Sequence, residues 1–388
     1  MAGGGGGMGW TRILAVGAAI VVAGYAMHHA RILPEAVMAA MLAVGGLMVV
    51  FGSCESMILC VEGIAARLRW NDFVAGTIAG IAGNVPELVM LGFVLAAKPR
   101  VGFIVVALTL HVGAMAFGVY SGLLPRDAAG FARLPAPLVQ LSTDQFAGSA
   151  GVFLATGLLM VTLQAFDAGV HRGQGLGAAD LLVMGGALLA LQVVGTIQLV
   201  RRFGRPQQEA QDPSHEDPPQ PPSPSKIALF GAVGIAASVL GGHAVGDFAD
   251  VLVEGLDARG YPQMVGAIVL SVFACAGGYV MTASAHLRKK YDIALANVSG
   301  AVTQNAVLVM PVAMIMLAAF GVLGVIPRTE SGAILPIDLE TTSVVLLMFP
   351  PLLILWKAVK DDGKVNWLET AAMIGIFTLT LYFLAMHG

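Results

Sequence analysis

The chain has 388 residues, of which 57% are hydrophobic and only 12% charged, with a mean hydropathy of +0.82. About one-quarter charged is usual for a soluble globular domain, so this composition argues against a water-soluble enzyme and points to a polytopic membrane protein. The formal net charge of −3 shows no basic surplus of the kind that binds nucleic acid.

In chain order, residues 1–9 form a Gly-rich leader. Trp10–Met27 is apolar behind Arg12 and reads as a signal peptide or a retained first helix; no clear small-x-small cleavage site follows, which favours the helix. Leu33–Ala66 is a long apolar run with Glu55 and Glu62 inside it. Phe73–Ala97 contains Gly76-Thr77 and then Gly80-Ile81-Ala82-Gly83-Asn84-Val85-Pro86-Glu87-Leu88. Arg100–Leu124 carries His111, and Ala147–Phe166 and Ala178–Val200 are plain spans. The stretch from Arg201 to Ser225 is Pro-rich, Gln-rich and acidic, and reads as a disordered linker. Lys226–Val245, extended by Gly246–Gly255, opens a second half. Met264–Leu287, Ile293–Val325 with Pro311, Thr341–Lys357 and Trp367–His387 complete it. At ~20 residues per crossing this predicts about 11 transmembrane helices.

Lys and Arg collect on the cytoplasmic side of a membrane. With the N-terminus inside, most of the 21 basic residues fall inside, among them Arg67, Arg69, Arg126, Arg133, Arg201, Arg202, Lys226, Lys289, Lys357 and Lys360. The expected topology has the N-terminus and linker in the cytoplasm and the C-terminus outside, in the inner membrane of a bacterium. The three cysteines, Cys54, Cys60 and Cys275, follow no metal-binding spacing and are expected to be inert buried thiols. No HExxH, GxSxG or dispersed Ser/His/Asp set stands out, so no enzymatic activity is expected.

The sharpest signal is Gly83–Leu88. A carboxylate inside an apolar span is costly and by default functional. Pro86 removes a backbone donor, and broken backbone at membrane depth persists only where it is packed in protein or lines a cavity. Asn84 and Glu87, three apart, fall on one helix face. The competing structural reading is a kinked helix whose Glu87 pairs with a neighbour.

The halves resemble each other. Val61-Glu62-Gly63-Ile64-Ala65-Ala66-Arg67 matches Val253-Glu254-Gly255-Leu256-Asp257-Ala258-Arg259, and the topology puts Arg67 inside and Arg259 outside. Repeats of opposite orientation are a common transporter architecture, with the site between them. The second half's polar centre is Asn297, Ser299, Thr303, Gln304 and Asn305, followed by Pro311. Such oxygens are hard ligands for Na⁺ or Ca²⁺, or else hold helices together.

With Val-Glu-Gly, a turn, and then Gly-Thr…Gly83-Asn84-Val85-Pro86-Glu87-Leu88, the first half resembles the first α-repeat of the cation/calcium exchanger superfamily, which includes sodium/calcium and calcium/proton exchangers. Tyr291–Asn305 resembles the later part of the second α-repeat. The resemblance covers roughly residues 34–357 and implies ten core helices, an inverted repeat and an ion site where the repeats face each other. The organisation it implies is a leader with an extra N-terminal helix over 1–30 and a first five-helix repeat over 31–202. A cytoplasmic linker over 203–225 and a second five-helix repeat over 226–388 follow. The expected fold is thus all-α, polytopic, with two inverted repeats.

By this resemblance the protein is a secondary active antiporter exchanging a metal cation, Ca²⁺ or Na⁺, for protons or Na⁺. Glu87 would be the protonatable ion ligand, with Asn84 beside it and Gln304, Asn305, Thr303 and Asn297 opposite. Gly80, Gly83, Pro86, Gly277, Gly278 and Gly300 would permit unwinding or close packing. No cofactor is expected beyond the transported cation (Ca²⁺, Na⁺ or H⁺). The expected partners are the lipid bilayer and small inorganic cations, without nucleic acid; oligomeric state is left open. One departure stands out. The family places an acid in each repeat, whereas here Gly278 or Tyr279, depending on the alignment, occupies the second position. A lone carboxylate leaves a divalent ion uncompensated, so Glu55 is a candidate second acid, with Asp247, Asp250 and Glu254 as others. The lost acid also motivates the alternative of an exchanger-derived protein that no longer transports and acts as a sensor or scaffold through its linker.

Overall fold

A computed structural model describes residues 9–32, 34–68, 70, 78, 80–134, 138–166, 175–203, 222–287, 289, 291–327, 332–360 and 363–387. The leader through residue 8, the Gly76-Thr77 part of the first motif and the linker over 204–221 lie outside them.

Lipid offers backbone groups no hydrogen bonds, so an apolar chain of this composition satisfies them within helices. In order these are α1 (Gly9–His29), α2 (Glu35–Leu68), α3 (Val85–Ala97), α4 (Pro99–Leu123), α5 (Thr143–Phe166), α6 (Ala178–Phe203), α7 (Pro224–Asp257), α8 (Gln263–Ala274), α9 (Ala276–Leu287), α10 (Tyr291–Gln304), α11 (Met310–Leu323), α12 (Leu339–Leu346), α13 (Phe349–Lys360) and α14 (Trp367–His387). Among the described residues, 10 helices are long and apolar enough to cross a membrane. The protein is an integral, all-α polytopic membrane protein.

The expected span over Met264–Leu287 is absent from those ten because it is divided at Cys275 into α8 and α9, of 12 residues each. The span over Ile293–Val325 is also interrupted. Asn305–Val309 forms a π turn in which the Met310 N–H reaches back to Asn305 O. Pro311 supplies no N–H of its own, and a widened turn just before it relieves the clash its ring would create. The Thr341–Lys357 span divides ahead of Pro350-Pro351 for the same reason. Helix lengths pair between the halves: α2 and α7 both have 34 residues, and α3 and α9, with 13 and 12, each follow a break.

The chain divides into two compact units. One comprises Met1–Met90 and Val194–Phe248. Here α1 runs antiparallel along α2 at very close range: a Cβ on Gly17 would fall 2.6 Å from the Met48 Cβ. The α2–α7 contact is closed by hydroxyls. Ser53 Oγ donates to Gly234 O (2.5 Å) and Ser56 Oγ to Phe230 O (2.7 Å). With no hydrophobic drive between helices in lipid, small residues and such bonds hold the interface. Tyr25 of α1 donates to Asp247 of α7 (2.8 Å).

The other unit comprises Leu91–Val193 and Ala249–Gly388. Its centre is α4, buried on nearly every face from Val101 to Ala114 and packed against α8, α10, α12 and α14. A helix apolar all round needs such a position. Two short antiparallel pairs tie its loops: Ala132–Arg133 with Lys364–Val365, and Gly175–Gly177 with Ala333–Pro336. Arg126 braces the first pair, donating to Gly130 O (2.9 Å) and Val365 O (3.0 Å) while lying 3.9 Å over the Trp367 ring.

Candidate functional site

The first break has a simple local cause. Pro86 has no N–H to give, so the helix through Gly80–Gly83 ends in a turn at Asn84 and restarts at Val85. The Asn84 N–H closes the old helix on Ile81 O (3.2 Å), and Asn84 O opens the new one by accepting the Leu88 N–H (2.9 Å). Glu87 is therefore the third residue of α3. Asn at the cap with Glu three residues on is the pattern of a reciprocal cap, in which the carboxylate would bond the cap's own N–H. That N–H is spent on Ile81, and Glu87 Oε1 is enclosed with no hydrogen-bond partner among the described residues. A buried oxygen left this way is costly and is relieved by a proton or a cation.

Two residues that the sequence did not single out as functional frame this turn. Cys54 of α2 donates from Sγ to Gly83 O (3.2 Å) and lies within electrostatic reach of Glu87 and Glu55. Residue spacing cannot show which carbonyl a helix break exposes, so the sequence alone carried no sign of this contact. The second is Gly242 of α7, where a Cβ would sit 3.0 Å from both the backbone N and Cα of Met90. Glycine is what lets α7 reach the backbone of the turn that follows Glu87. Gly83, by contrast, has nothing within 4 Å of a built Cβ, so close packing does not require glycine there. Pro86 is buried, Gly80 is helical, and Glu55 lies within electrostatic reach of Glu62 on its own helix.

The second break, in the other unit, repeats this geometry with other chemistry. The Cys275 N–H closes α8 on Ser271 O (3.2 Å), and Cys275 O accepts the Tyr279 N–H (3.2 Å). α9 begins with Ala276 and Gly277, so Gly278 is its third residue, the place Glu87 holds in α3. Of the two sequence alignments, the helix break supports the one with Gly278 opposite Glu87. Gly278 O is bonded twice, by Asn297 Nδ2 (2.8 Å) and Thr282 Oγ1 (2.9 Å), and Asn297 Nδ2 also donates to Thr282 Oγ1 (2.8 Å). Asn297 thus spends both amide hydrogens holding α10 to α9, leaving its carbonyl as the only group that could ligate.

Thr303 is buried and turns its hydroxyl back to Ser299 O (3.1 Å) and Gly300 O (3.2 Å). Asn305 is buried at the start of the π turn, and a Cβ on Gly300 would meet Gln304 Nε2 at 3.6 Å. Neither Asn84 nor Gln304 is without a partner. No cluster of three or more His, Cys, Asp or Glu side chains able to hold a metal occurs among the described residues. The first unit therefore gathers Asn84, Pro86, Glu87 and Cys54 at one break, and the second gathers Gly278, Asn297 and Thr282 at the other.

A break carrying an acid, a matching break and a polar π-turned helix thus lie among helices long and apolar enough to cross a membrane. Residues 226–386 match the family model described as "Sodium/calcium exchanger protein". Among solved structures, the chain is similar to an H⁺/Ca²⁺ exchanger, CAX, at a TM-score of 0.65 and 11% identity, covering 97% of this chain and 91% of that one. It is similar to a Ca²⁺/H⁺ antiporter protein, YfkE, at 0.62 and 14%, covering 97% and 99%. The sodium-calcium exchanger NCX_Mj matches at 0.51 and 14%, covering 89% and 99%. No curated protein matches the chain by sequence. The resemblance to the cation/calcium exchanger superfamily, first carried by the motifs at Gly83–Leu88 and Tyr291–Asn305, thus recurs in the family model over the second half and in the fold of nearly the whole chain.

Proposed function

We propose that the protein is a secondary active antiporter that exchanges a metal cation, Ca²⁺ or Na⁺, for protons or Na⁺ by alternating access. The observation that carries this reading is the enclosed Glu87 Oε1 at a helix break, without a hydrogen-bond partner among the described residues, in a fold similar to that of cation exchangers. A carboxyl in that position can hold a proton or a cation but cannot cheaply be left charged and empty. Asn84 would ligate beside it. Gln304, Asn305, Thr303 and the Asn297 carbonyl would complete the shell from the second repeat. In this reading residues 31–202 and 226–388 are inverted repeats, which the paired 34-residue helices α2 and α7 support. The N-terminus and linker would be cytoplasmic and the C-terminus outside, in a bacterial inner membrane.

The test is cation-driven pH change in proteoliposomes. Wild type should acidify or alkalinise the lumen when a gradient of Ca²⁺ or Na⁺ is imposed, and Glu87→Gln should not. Equal silence of both across Na⁺, K⁺ and Ca²⁺ would sink the proposal. It would favour the second reading, a non-transporting sensor or scaffold acting through its linker, whose supporting observation is that Gly278 brings no carboxyl to the second break.

A further inference from the structure

Away from the break at Asn84, the first unit gathers an imidazole, a carboxylate and a phenol where α1 meets α7. His243 and Asp247 stand one turn apart on α7, with His243 Nδ1 3.8 Å from Asp247 Oδ1. That is too long for a direct hydrogen bond between them. Tyr25 of α1 donates to the other carboxylate oxygen, Asp247 Oδ2, at 2.8 Å. Its ring also stacks on the His243 ring, with centroids 5.9 Å apart and planes inclined by 19°. One tyrosine from a second helix therefore braces both members of the pair, and the two atoms that approach each other are Nδ1 and Oδ1. The pair is accessible, the His243 and Asp247 side chains being 54% and 37% exposed. An exposed ion pair one turn apart on a helix contributes little to stability, and it needs no third residue to hold it.

We infer that His243 and Asp247 form a two-point chelate for a borderline divalent cation such as Zn²⁺, with Tyr25 as the positioning residue that orients Asp247. An imidazole nitrogen beside a carboxylate oxygen suits Zn²⁺, Cu²⁺ or Ni²⁺, whereas Ca²⁺ and Mg²⁺ take all-oxygen shells. Two ligands ~2.0–2.2 Å from one tetrahedral Zn²⁺ lie ~3.4 Å apart. Starting from 3.8 Å, the pair closes on the ion with a side-chain shift of ~0.4 Å. The ligating forms are neutral imidazole and ionised carboxylate, and water fills the remaining positions. A hydrogen bond to the second carboxylate oxygen fixes a ligand's orientation, which is the place Tyr25 takes. This position is distinct from the turn at Glu87. On α7 it is the neighbouring Gly242 that meets the Met90 backbone, while His243 and Asp247 meet α1.

The experiment is calorimetric titration of the purified, untagged full-length protein with Zn²⁺, in wild type and in Glu87→Gln. A saturable Zn²⁺ site should be present in both. In the Glu87→Gln background, His243→Ala and Asp247→Asn should each remove it. Tyr25→Phe should weaken it about 10–100-fold, the usual cost of losing a group that orients a ligand. Replacing His28 and His29, the histidines in the last turn of α1, with alanine should leave it intact. Should a variant fold badly, electron paramagnetic resonance of Cu²⁺ added to Glu87→Gln should show coupling to one imidazole nitrogen. No saturable Zn²⁺ binding in Glu87→Gln would overturn the assignment. So would full binding in His243→Ala or Asp247→Asn, an unchanged affinity in Tyr25→Phe, or a Cu²⁺ spectrum without nitrogen coupling. Zn²⁺ is read with the Glu87 carboxyl already removed, so failure of the antiport reading would leave this result standing, and the reverse holds too.

Discussion

The two helix breaks are alike in backbone and opposite in chemistry. Each ends a helix on a single turn residue, Asn84 or Cys275, and restarts it so that the third new residue is the one of interest. At the first break that residue is Glu87, whose Oε1 is enclosed and unbonded among the described residues. At the second it is Gly278, whose carbonyl is bonded by both Asn297 and Thr282. A cysteine thiol marks each: Cys54 reaches in to Gly83 O at 3.2 Å, while Cys275 points out to Thr109 O of α4 at 3.9 Å. The contrast teaches that the break is a property of the backbone, whereas the charge it presents rests on one side chain. One break is left chemically open and the other is closed by its own hydrogen bonds.

The comparison can be broken by making the breaks alike. Gly278→Glu places a carboxyl at the second break, where a built Cβ has room, its nearest neighbour being Asn297 Nδ2 at 3.9 Å. Two carboxylates should raise affinity for divalent over monovalent cations by about tenfold or more, by analogy with tuning Ca²⁺ affinity through ligand charge. Unchanged selectivity in a folded Gly278→Glu protein, measured by competition binding, would mean that the second break does not face the ion. The next largest effect is expected at Gly242, which the first break needs and the second does not. Gly242→Ala would press on the Met90 backbone at 3.0 Å, where neither side is a flexible side-chain end. A loss of about 1–3 kcal/mol is the usual result of such overpacking, visible in thermal melts, with impaired exchange alongside it.

Asn297→Ala sharpens the contrast from the other side. It removes both Asn297 donors from the Gly278–Thr282 ring and should cost about 0.5–1.5 kcal/mol, the net worth of an ordinary hydrogen bond, since Thr282 Oγ1 still bonds Gly278 O. Asn297→Asp should not rescue, because its carboxylate offers acceptors where donors are needed. A melt identical to wild type in both variants would contradict the ring. The smallest effect belongs to a place remote from either break in sequence. The Asp127 carboxyl is held below the usual carboxylate range chiefly by the Phe131 N–H, with help from the Ala129 N–H and from Lys364 and Arg133. A depressed folded value means that the group's stabilisation is present at neutral pH and fades as pH falls through that value. The melting temperatures of wild type and Asp127→Ala should therefore differ slightly near neutrality and converge in acid.

Spans were legible from hydropathy alone: α1, α4, α6 and α14 begin and end within a few residues of the apolar runs that predict them. The first break was legible too, because proline announces it. The second was not. Cys275-Ala276-Gly277-Gly278 contains no residue that forbids a helix, and the Asn297 side chain that bonds Gly278 O comes from a separate helix. Composition showed that Asn297 and Thr303 were polar and in apolar spans, but not that Asn297 donates to Gly278 O and Thr282 Oγ1 or that Thr303 donates to backbone carbonyls. The roles of Cys54 and Gly242 were invisible for a related reason. Each acts on a helix distant in sequence, and nothing in its immediate neighbourhood distinguishes it from a packing residue.

The central claim is that Glu87 is the one carboxyl that carries charge chemistry at the two breaks. Cation-induced infrared difference spectroscopy of the reconstituted protein tests it directly. Adding Ca²⁺ or Na⁺ should bleach a protonated-carboxyl stretch and raise a carboxylate band in wild type, and both changes should vanish in Glu87→Gln. A bleach of equal size in Glu87→Gln would show that another carboxyl holds the proton and would contradict the account.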